Sequence, residues 1–220
     1  MHVQRGAIPP EPSGVGASEL VTWRMDDGRG IEGTRLLLQG GGMRALGRMV
    51  RAGNGPADPS FTASYRLDAG DGGRVRRLAV TCATAGRERY ITLNRTDDGF
   101  WLLDTGMGGG RLEVEGAVDV DLAFSPLFNT LPIRRLGLHQ APGDHVLSTM
   151  FVALPDLSVE VVEQRYRALS PLGQGEQPEE ATVGFAWDAF TAELVVDADG
   201  LVSSYPGVAS RIPEAAPASS

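Results

Sequence analysis

The chain has 220 residues, of which 42% are hydrophobic and 22% charged, a composition that suits one globular domain or at most two small ones. Its formal net charge of -8 argues against a nucleic-acid partner, because contacts to phosphates need a basic surface. The same balance argues against attachment to anionic lipid by charge alone. No stretch approaches the ~20 apolar residues of a membrane-spanning helix, so no membrane span is expected.

The two ends of the chain are poor in periodic apolar residues. Residues 1–18 are rich in Pro, Gly and Ser and predict a loose tail, and residues 213–220 predict another. Residues 19–212 are left as a single domain, with a mobile internal loop expected at 171–180. The N-terminal segment lacks the apolar core of a secretory signal, and the single cysteine, Cys82, cannot form an internal disulfide. Both features are typical of a protein of the reducing cytoplasm.

Apolar and polar residues alternate with a period of two through most of this domain, which is typical of β-strands. Leu78, Val80 and Cys82, for example, share one face of a predicted strand. The chain contains 29 glycines, a number that suits many turns between short strands. About ten strands with short connections must pair mainly antiparallel, because a parallel crossover needs a dozen or more residues. We therefore expect an all-β fold, a single large, curved and partly open barrel.

Residues 118–136 interrupt the alternating pattern. They begin with an extended stretch that places Asp119 and Asp121 on one face and apolar side chains on the other. Ser125 followed by Pro126 is typical of a helix N-cap and first helical position. Thr130 then opens a stretch that can form a second short helix, with a proline in its first turn. One or two short helices are expected here, plugging the concave side of the sheet.

Asp119 and Asp121 form the first candidate site. Two carboxyl groups on one face can bind a divalent cation or supply an acid and a base for catalysis. A metal ion needs more oxygen ligands than two carboxylates provide, and no cofactor or metal is expected. The structural alternative, which we favour, is a brace in which the two acids pair with Arg134 and Arg135. If such a pair is buried, loss of one partner costs about 3–5 kcal/mol.

The aromatic residues form the second candidate site. A partly open barrel exposes part of its inner wall, and an apolar wall with a few polar groups at its mouth is the usual form of a small-molecule pocket. Aromatic side chains also dominate ordinary cores, so both roles stay open for each of them. The residues assigned to a ligand are Trp23, Tyr65, Trp101, Phe124, Phe128, Asn129, Arg134 and Arg135. The two arginines can meet a polar head group only where the aspartates do not bind them.

Several segments resemble the Putative glycolipid-binding family of bacterial proteins, formerly a domain of unknown function. The most specific is the string NTLPIRRL at residues 129–136. Weaker matches are Thr22-Trp-Arg24, Gly33-Thr-Arg-Leu36, Asp119-Val-Asp-Leu122, Ser125-Pro126, Leu154-Pro-Asp-Leu157, Gln164-Arg-Tyr166, Phe190-Thr-Ala-Glu-Leu194, Asp199-Gly-Leu-Val202, Tyr205-Pro-Gly207 and Arg211. Together they span residues ~20 to 212, as expected for one domain. The resemblance implies an incompletely closed β-barrel with short helices, similar to carriers that hold lipid in an apolar cavity.

The resemblance also implies non-catalytic binding of a small amphipathic ligand, a lipid or glycolipid, and we predict a binding protein rather than an enzyme. Burial of the acyl chain against the concave wall would supply affinity at ~0.8 kcal/mol per CH₂. One alternative is an enzyme that acts on a lipid-like or sugar substrate with Asp119 and Asp121 as acid and base. Another is a structural or partner-binding module whose interior is filled by its own side chains. The residues favour no particular oligomeric state.

Overall fold

The computed structural model describes residues 18–112, 114, 116–173 and 179–213. In this part of the chain there are fifteen strands and one helix. They are β1 (Ser18–Met25), β2 (Gly30–Gln39), β3 (Gly42–Arg51), β4 (Phe61–Ala69), β5 (Val75–Thr84), β6 (Glu88–Arg95), β7 (Trp101–Asp104), β8 (Gly109–Leu112), β9 (Asp119–Leu122), α1 (Leu127–Leu136), β10 (Asp144–Val152), β11 (Val159–Ser170), β12 (Ala181–Trp187), β13 (Phe190–Val196), β14 (Val202–Tyr205) and β15 (Ala209–Arg211).

The strands form one continuous curved sheet in the order β8-β7-β6-β5-β4-β3-β2-β1-β15-β14-β13-β12-β11-β10-β9. Neighbouring strands are antiparallel except for β9, which runs parallel to β10. The edge strands β8 and β9 are not paired with each other, so the barrel is not closed. The prediction of an all-β, mainly antiparallel and partly open fold is confirmed.

The helix separates two apolar clusters on the concave side of the sheet. In β3 and β4, buried and exposed residues alternate along the strand, and the inward side chains join the larger cluster. Phe128 and Leu131 of α1 belong to that cluster, whereas Ile133 packs with the side chains of β11–β14. The helix therefore buries side chains in both directions and occupies the centre of the concave space.

The described residues form one helix where one or two were expected. The stretch from Thr130, which could have opened a second helix, continues the first one, and Pro132 lies inside it at the expense of one backbone hydrogen bond. Ser125 does not cap the helix: the cap position is Pro126, which has no side-chain donor or acceptor, and the Ser125 hydroxyl bonds Glu32 instead. Gly137 ends the helix with φ 65, a left-handed conformation that glycine adopts without steric cost.

The predicted tails fall almost entirely outside the described residues, as do residues 174–178 of the predicted loop. Ser18, which was assigned to the N-terminal tail, already belongs to β1. Among the described helical residues there is no segment of the length and hydropathy needed to cross a membrane.

Candidate functional site

A buried carboxyl group, that of Glu32, lies on the inward face of β2 and is 1% exposed. Its Oε1 accepts hydrogen bonds from the hydroxyls of Ser125 at 2.6 Å and Thr34 at 3.4 Å, and from the hydroxyl of Tyr65. Its Oε2 is also buried but accepts no hydrogen bond from any described residue. A buried polar atom without a partner costs about 1–3 kcal/mol, so Oε2 is an acceptor that a suitable donor would stabilise.

Burial changes the proton affinity of this cluster. Loss of solvation raises the pKa of Glu32 from 4.5 to about 7, and the three hydroxyl donors oppose that rise only in part. Burial, reinforced by the nearby Glu32 charge, raises the pKa of Tyr65 well above its usual range, so the phenol keeps its proton. Near neutral pH, Glu32 therefore exchanges between its neutral and ionised forms while its neighbours remain hydroxyl donors.

Gly47 determines where Tyr65 lies. The two residues are direct cross-strand partners on β3 and β4. A Cβ atom added at Gly47 would overlap the ring and hydroxyl of Tyr65. Because Gly47 has no side chain, the ring of Tyr65 lies across β3 and its hydroxyl reaches Glu32 and Thr34 on β2, the latter at 2.7 Å.

Phe124, the residue before Ser125, packs in space against the end of β3 and the start of β4. It has φ 68, a left-handed conformation that is unfavourable for a residue with a large side chain. Its half-buried ring lies 6.0 Å from the ring of Phe61 and 4.6 Å from the guanidinium carbon of Arg51. A cleft of about 470 Å³, lined in part by Phe61 and Arg51, opens here. The rings of Phe61 and Phe124 and this open cleft therefore lie close to Ser125, which belongs to the Glu32 cluster.

Asp121 on β9 belongs to a second buried polar cluster. The amide of Gln164 donates to Asp121 Oδ2 at 2.6 Å, and the hydroxyl of Tyr166 donates to Gln164 Oε1 at 3.2 Å. The amide nitrogen of Asn129 in turn donates to the hydroxyl of Tyr166 at 2.9 Å, while Asn129 Oδ1 has no partner among the described residues. Burial raises the pKa of Asp121 from 3.8 to about 6, and the Gln164 bond opposes that rise in part. This chain of bonds joins α1 to β9 and β11.

The two arginines of the predicted brace have different partners. Arg135 Nε donates to Asp119 Oδ1 at 3.3 Å, and a terminal guanidinium nitrogen contacts Asp119 Oδ2. Burial raises the pKa of Asp119, and the Arg135 charge opposes that rise in part. Arg134 instead donates to the backbone carbonyl of Asp199. Consecutive helical residues point about 100° apart, which explains why Arg134 cannot share the partner of Arg135.

The geometry of the brace is thus one ion pair, Asp119 with Arg135. Asp121 and Arg134 lie outside that pair: Asp121 is bonded by an amide, and Arg134 by a backbone carbonyl.

The predicted ligand residues divide between the neighbourhood of Glu32 and other parts of the interior. Trp23 is 0% exposed and is the cross-strand partner of Glu32, and its indole N–H donates to the carbonyl of Val202 at 2.8 Å. Phe128 packs edge to face on Tyr65 with ring centroids 5.2 Å apart. Trp23, Phe128 and Phe124 therefore each neighbour a member of the Glu32 cluster, to which Tyr65 itself belongs.

Trp101 is not part of this group. It lies on β7, five strands from β2 in the sheet order, and is fully buried. Its indole N–H donates to the carbonyl of Ala117 at 3.0 Å, so its polar atom already has a partner.

The sequence prediction missed Glu32. Alternation of apolar residues predicts a strand over Thr34–Leu38, whereas β2 begins at Gly30 and places Glu32, Thr34 and Leu36 on the same buried face. A glutamate at an inward position of a strand, two residues before a threonine that faces the same way, is the signal that could have identified it.

The described structure is an open, curved antiparallel sheet with a helix on its concave side and carboxyl groups buried beside that helix. The chain belongs to the family described as "Putative glycolipid-binding", whose model matches residues 20–211. A DUF1089 family protein from Pseudomonas aeruginosa, known from a crystal structure, has a similar fold, with a TM-score of 0.64 and 23% identity over 96% of this chain and 100% of that chain. No curated protein shows significant similarity. The resemblance seen in the sequence is confirmed.

Proposed function

We propose that the protein binds an amphipathic ligand of the glycolipid class and releases it unchanged. The description of its family names this class of ligand. The observation that carries the proposal for this chain is the buried Glu32 carboxyl, whose Oε2 accepts no hydrogen bond from the described residues. Sugar hydroxyls are hydrogen-bond donors, and one of them bound to Oε2 would remove the cost of an unsatisfied buried acceptor.

The apolar part of the ligand needs a surface of its own. The concave interior beside α1 is occupied by buried side chains, and three clefts of the described structure, with volumes of about 470, 500 and 610 Å³, have no lining residue from α1. The cleft beside Phe61 and Arg51 lies at the strand ends next to Phe124. In the proposed complex the acyl chain lies in this cleft, and the turn at Phe124 and Ser125 moves to admit the sugar to Glu32.

The test compares two ligands that differ only in their sugar. A fluorescent fatty acid bound to the purified protein is displaced with octyl glucoside or with octanol, each below its aggregation concentration, and co-purified lipid is extracted in parallel. We expect octyl glucoside to displace the probe at a lower concentration than octanol. Glu32→Gln should abolish that difference, whereas Glu88→Gln, on the exposed surface of β6, should not. Absence of both probe binding and co-purified lipid would refute the proposal.

A second candidate, an enzyme with a buried acid or base, is favoured by the pKa of Asp121, which burial raises to about 6. Asp121→Asn distinguishes the two functions. An enzyme would keep its fold and its ligand affinity but lose turnover of a glycoside or ester substrate. A binding protein would show no turnover before or after the change.

A further inference from the structure

The convex face of β1–β5, opposite the buried carboxyl groups, carries a shallow groove of about 500 Å³. The long side chains that line it are three arginines and two leucines. We call these five residues, Leu20, Arg35, Leu46, Arg48 and Arg66, the arginine groove.

The register of the sheet brings four of these residues into one row. Leu20 of β1 pairs with Arg35 of β2, Arg35 pairs with Leu46 of β3, and Leu46 pairs with Arg66 of β4. Directly paired side chains in antiparallel strands have Cβ atoms about 4.5–5.5 Å apart. Apolar and cationic groups therefore alternate across four strands at contact distance.

The floor of the groove is open beside Arg48, the third arginine. Arg48 lies in the adjoining row, opposite Gly33. A Cβ atom placed at Gly33 would have no atom of the described residues within 4 Å, so they leave the space above this glycine free. The guanidinium groups of Arg35 and Arg48, on either side of that space, can converge on one bound anion.

The arginine groove has a charge opposite to that of the whole protein. No acidic residue lines it, and none of its three arginines has a carboxylate within 4.0 Å in the described part of the chain. The net charge of -8 is an average over the entire molecule and does not determine the sign of one face. Unpaired guanidinium groups in a shallow groove are suited to phosphate groups, which they bind in a bidentate manner.

The exposed leucines favour an anionic partner that also offers an apolar phase. Leu46 is 46% exposed between Arg35 and Arg66, and Leu20 is 68% exposed beside Arg35 at the end of the row. At a membrane interface, cationic side chains meet lipid phosphates while neighbouring apolar side chains enter the acyl boundary. We infer that the arginine groove docks the protein onto the surface of an anionic phospholipid bilayer. Gly47 and Tyr65 also line this groove, but none of the five residues that define it belongs to the Glu32 cluster, so the inference can be tested apart from the ligand site.

The experiment measures sedimentation of the full chain with vesicles of phosphatidylcholine alone or with an equal part of phosphatidylglycerol. We expect binding to the anionic vesicles only, and a steep loss of binding when salt is raised. A basic residue at such a surface contributes about five-fold in affinity, so the triple variant Arg35→Gln, Arg48→Gln, Arg66→Gln should bind about 100-fold more weakly.

Two controls test whether the loss of vesicle binding is specific to the groove. One removes the same charge elsewhere on the protein, and the other changes the ligand site. Arg74→Gln, Arg76→Gln, Arg167→Gln removes the same charge from exposed positions outside the groove and should change vesicle affinity by less than about three-fold. Glu32→Gln should bind vesicles as the unmodified protein does, even if the glycolipid proposal fails. Equal binding to both vesicle types, or equal losses in the two triple variants, would overturn the inference. Capture of an acidic protein by the groove without vesicle binding would also overturn it.

Discussion

Ser125 donates a 2.6 Å hydrogen bond to Glu32 across 93 positions of the sequence. The bond joins the turn in front of α1 to the second strand of the sheet. The same carboxyl oxygen also accepts hydrogen bonds from Tyr65 and Thr34. The protonation state of a single buried carboxyl group is therefore coupled to the seating of the helix, and this coupling can be measured through pH.

We expect the free energy of unfolding to fall as the pH rises from 4.5 to about 7. The folded protein raises the pKa of Glu32 from 4.5 to about 7, so between these values the native state holds a proton that the unfolded chain has lost. The resulting contribution is at most about 3 kcal/mol, fully present below pH 4.5 and lost as the pH passes 7. Urea denaturation at a series of pH values measures it.

Glu32→Gln should flatten most of this slope, because the amide cannot titrate. A smaller decline of the same sign should remain, since burial also raises the pKa of Asp121, from 3.8 to about 6. The exposed Glu88→Gln serves as the control and should retain the full slope. A slope that is unchanged in Glu32→Gln would show that the carboxyl titrates at the same pH in both states.

Ligand affinity should increase as the pH rises, whereas the free energy of unfolding decreases. If sugar hydroxyls donate to the ionised Glu32 carboxylate, binding of octyl glucoside strengthens as the pH rises through about 7, the raised pKa of this group. Between pH 6 and pH 8 the ionised fraction grows about ten-fold for a single group, and affinity should grow by about the same factor. Probe displacement at each pH provides the measurement. A Glu32→Gln variant with the same pH profile would contradict the assignment of Glu32 to the ligand.

Gly47→Ala should displace Tyr65 from Glu32. The added Cβ would overlap the tyrosine ring, which a packed interior can accommodate only by moving side chains or backbone, at a cost of about 1–3 kcal/mol. Gly33→Ala is the matched control, because it lies on the neighbouring strand with free space around its Cβ position. Chemical denaturation measures both variants. In a Tyr65→Ala background, the cost of Gly47→Ala should largely disappear, and its persistence would indicate a backbone effect instead.

The sequence predicted the sheet well because its signals are local. Alternation along a strand decides which side chains face inward, and it predicts strands over Phe190–Val196 and Val202–Tyr205, which are the bounds of β13 and β14. The parallel pairing of β9 with β10 was not predicted, since it depends on how the chain returns after α1. Glu32 was missed for a related reason: its importance comes from Ser125 and Tyr65, which are distant in sequence.

The candidate brace shows the same limit. The sequence predicted that the aspartates and the adjacent arginines lie near one another, and Asp119 does meet Arg135. It could not separate Arg134 from Arg135, because the direction of each side chain depends on the phase of a helix whose start was misplaced at Ser125. Composition and spacing therefore indicate which residue types meet, while the individual pairs depend on the tertiary arrangement.

The free energy of unfolding should fall more when one partner of the Asp119–Arg135 ion pair is removed than when both are removed. Asp119 is 1% exposed, and removing Arg135 leaves its charge buried and unpaired, so Arg135→Met should cost about 3–5 kcal/mol. Asp119→Asn with Arg135→Met removes both charges and should recover most of that loss. The control is the exposed pair of Asp144 and Arg165, where Arg165→Met should have little effect because water solvates the remaining carboxylate. Denaturation midpoints of these variants provide the comparison. Equal losses at the two arginines would show that burial of Asp119 adds nothing to the strength of its ion pair, and the Asp119–Arg135 contact would then not act as a brace.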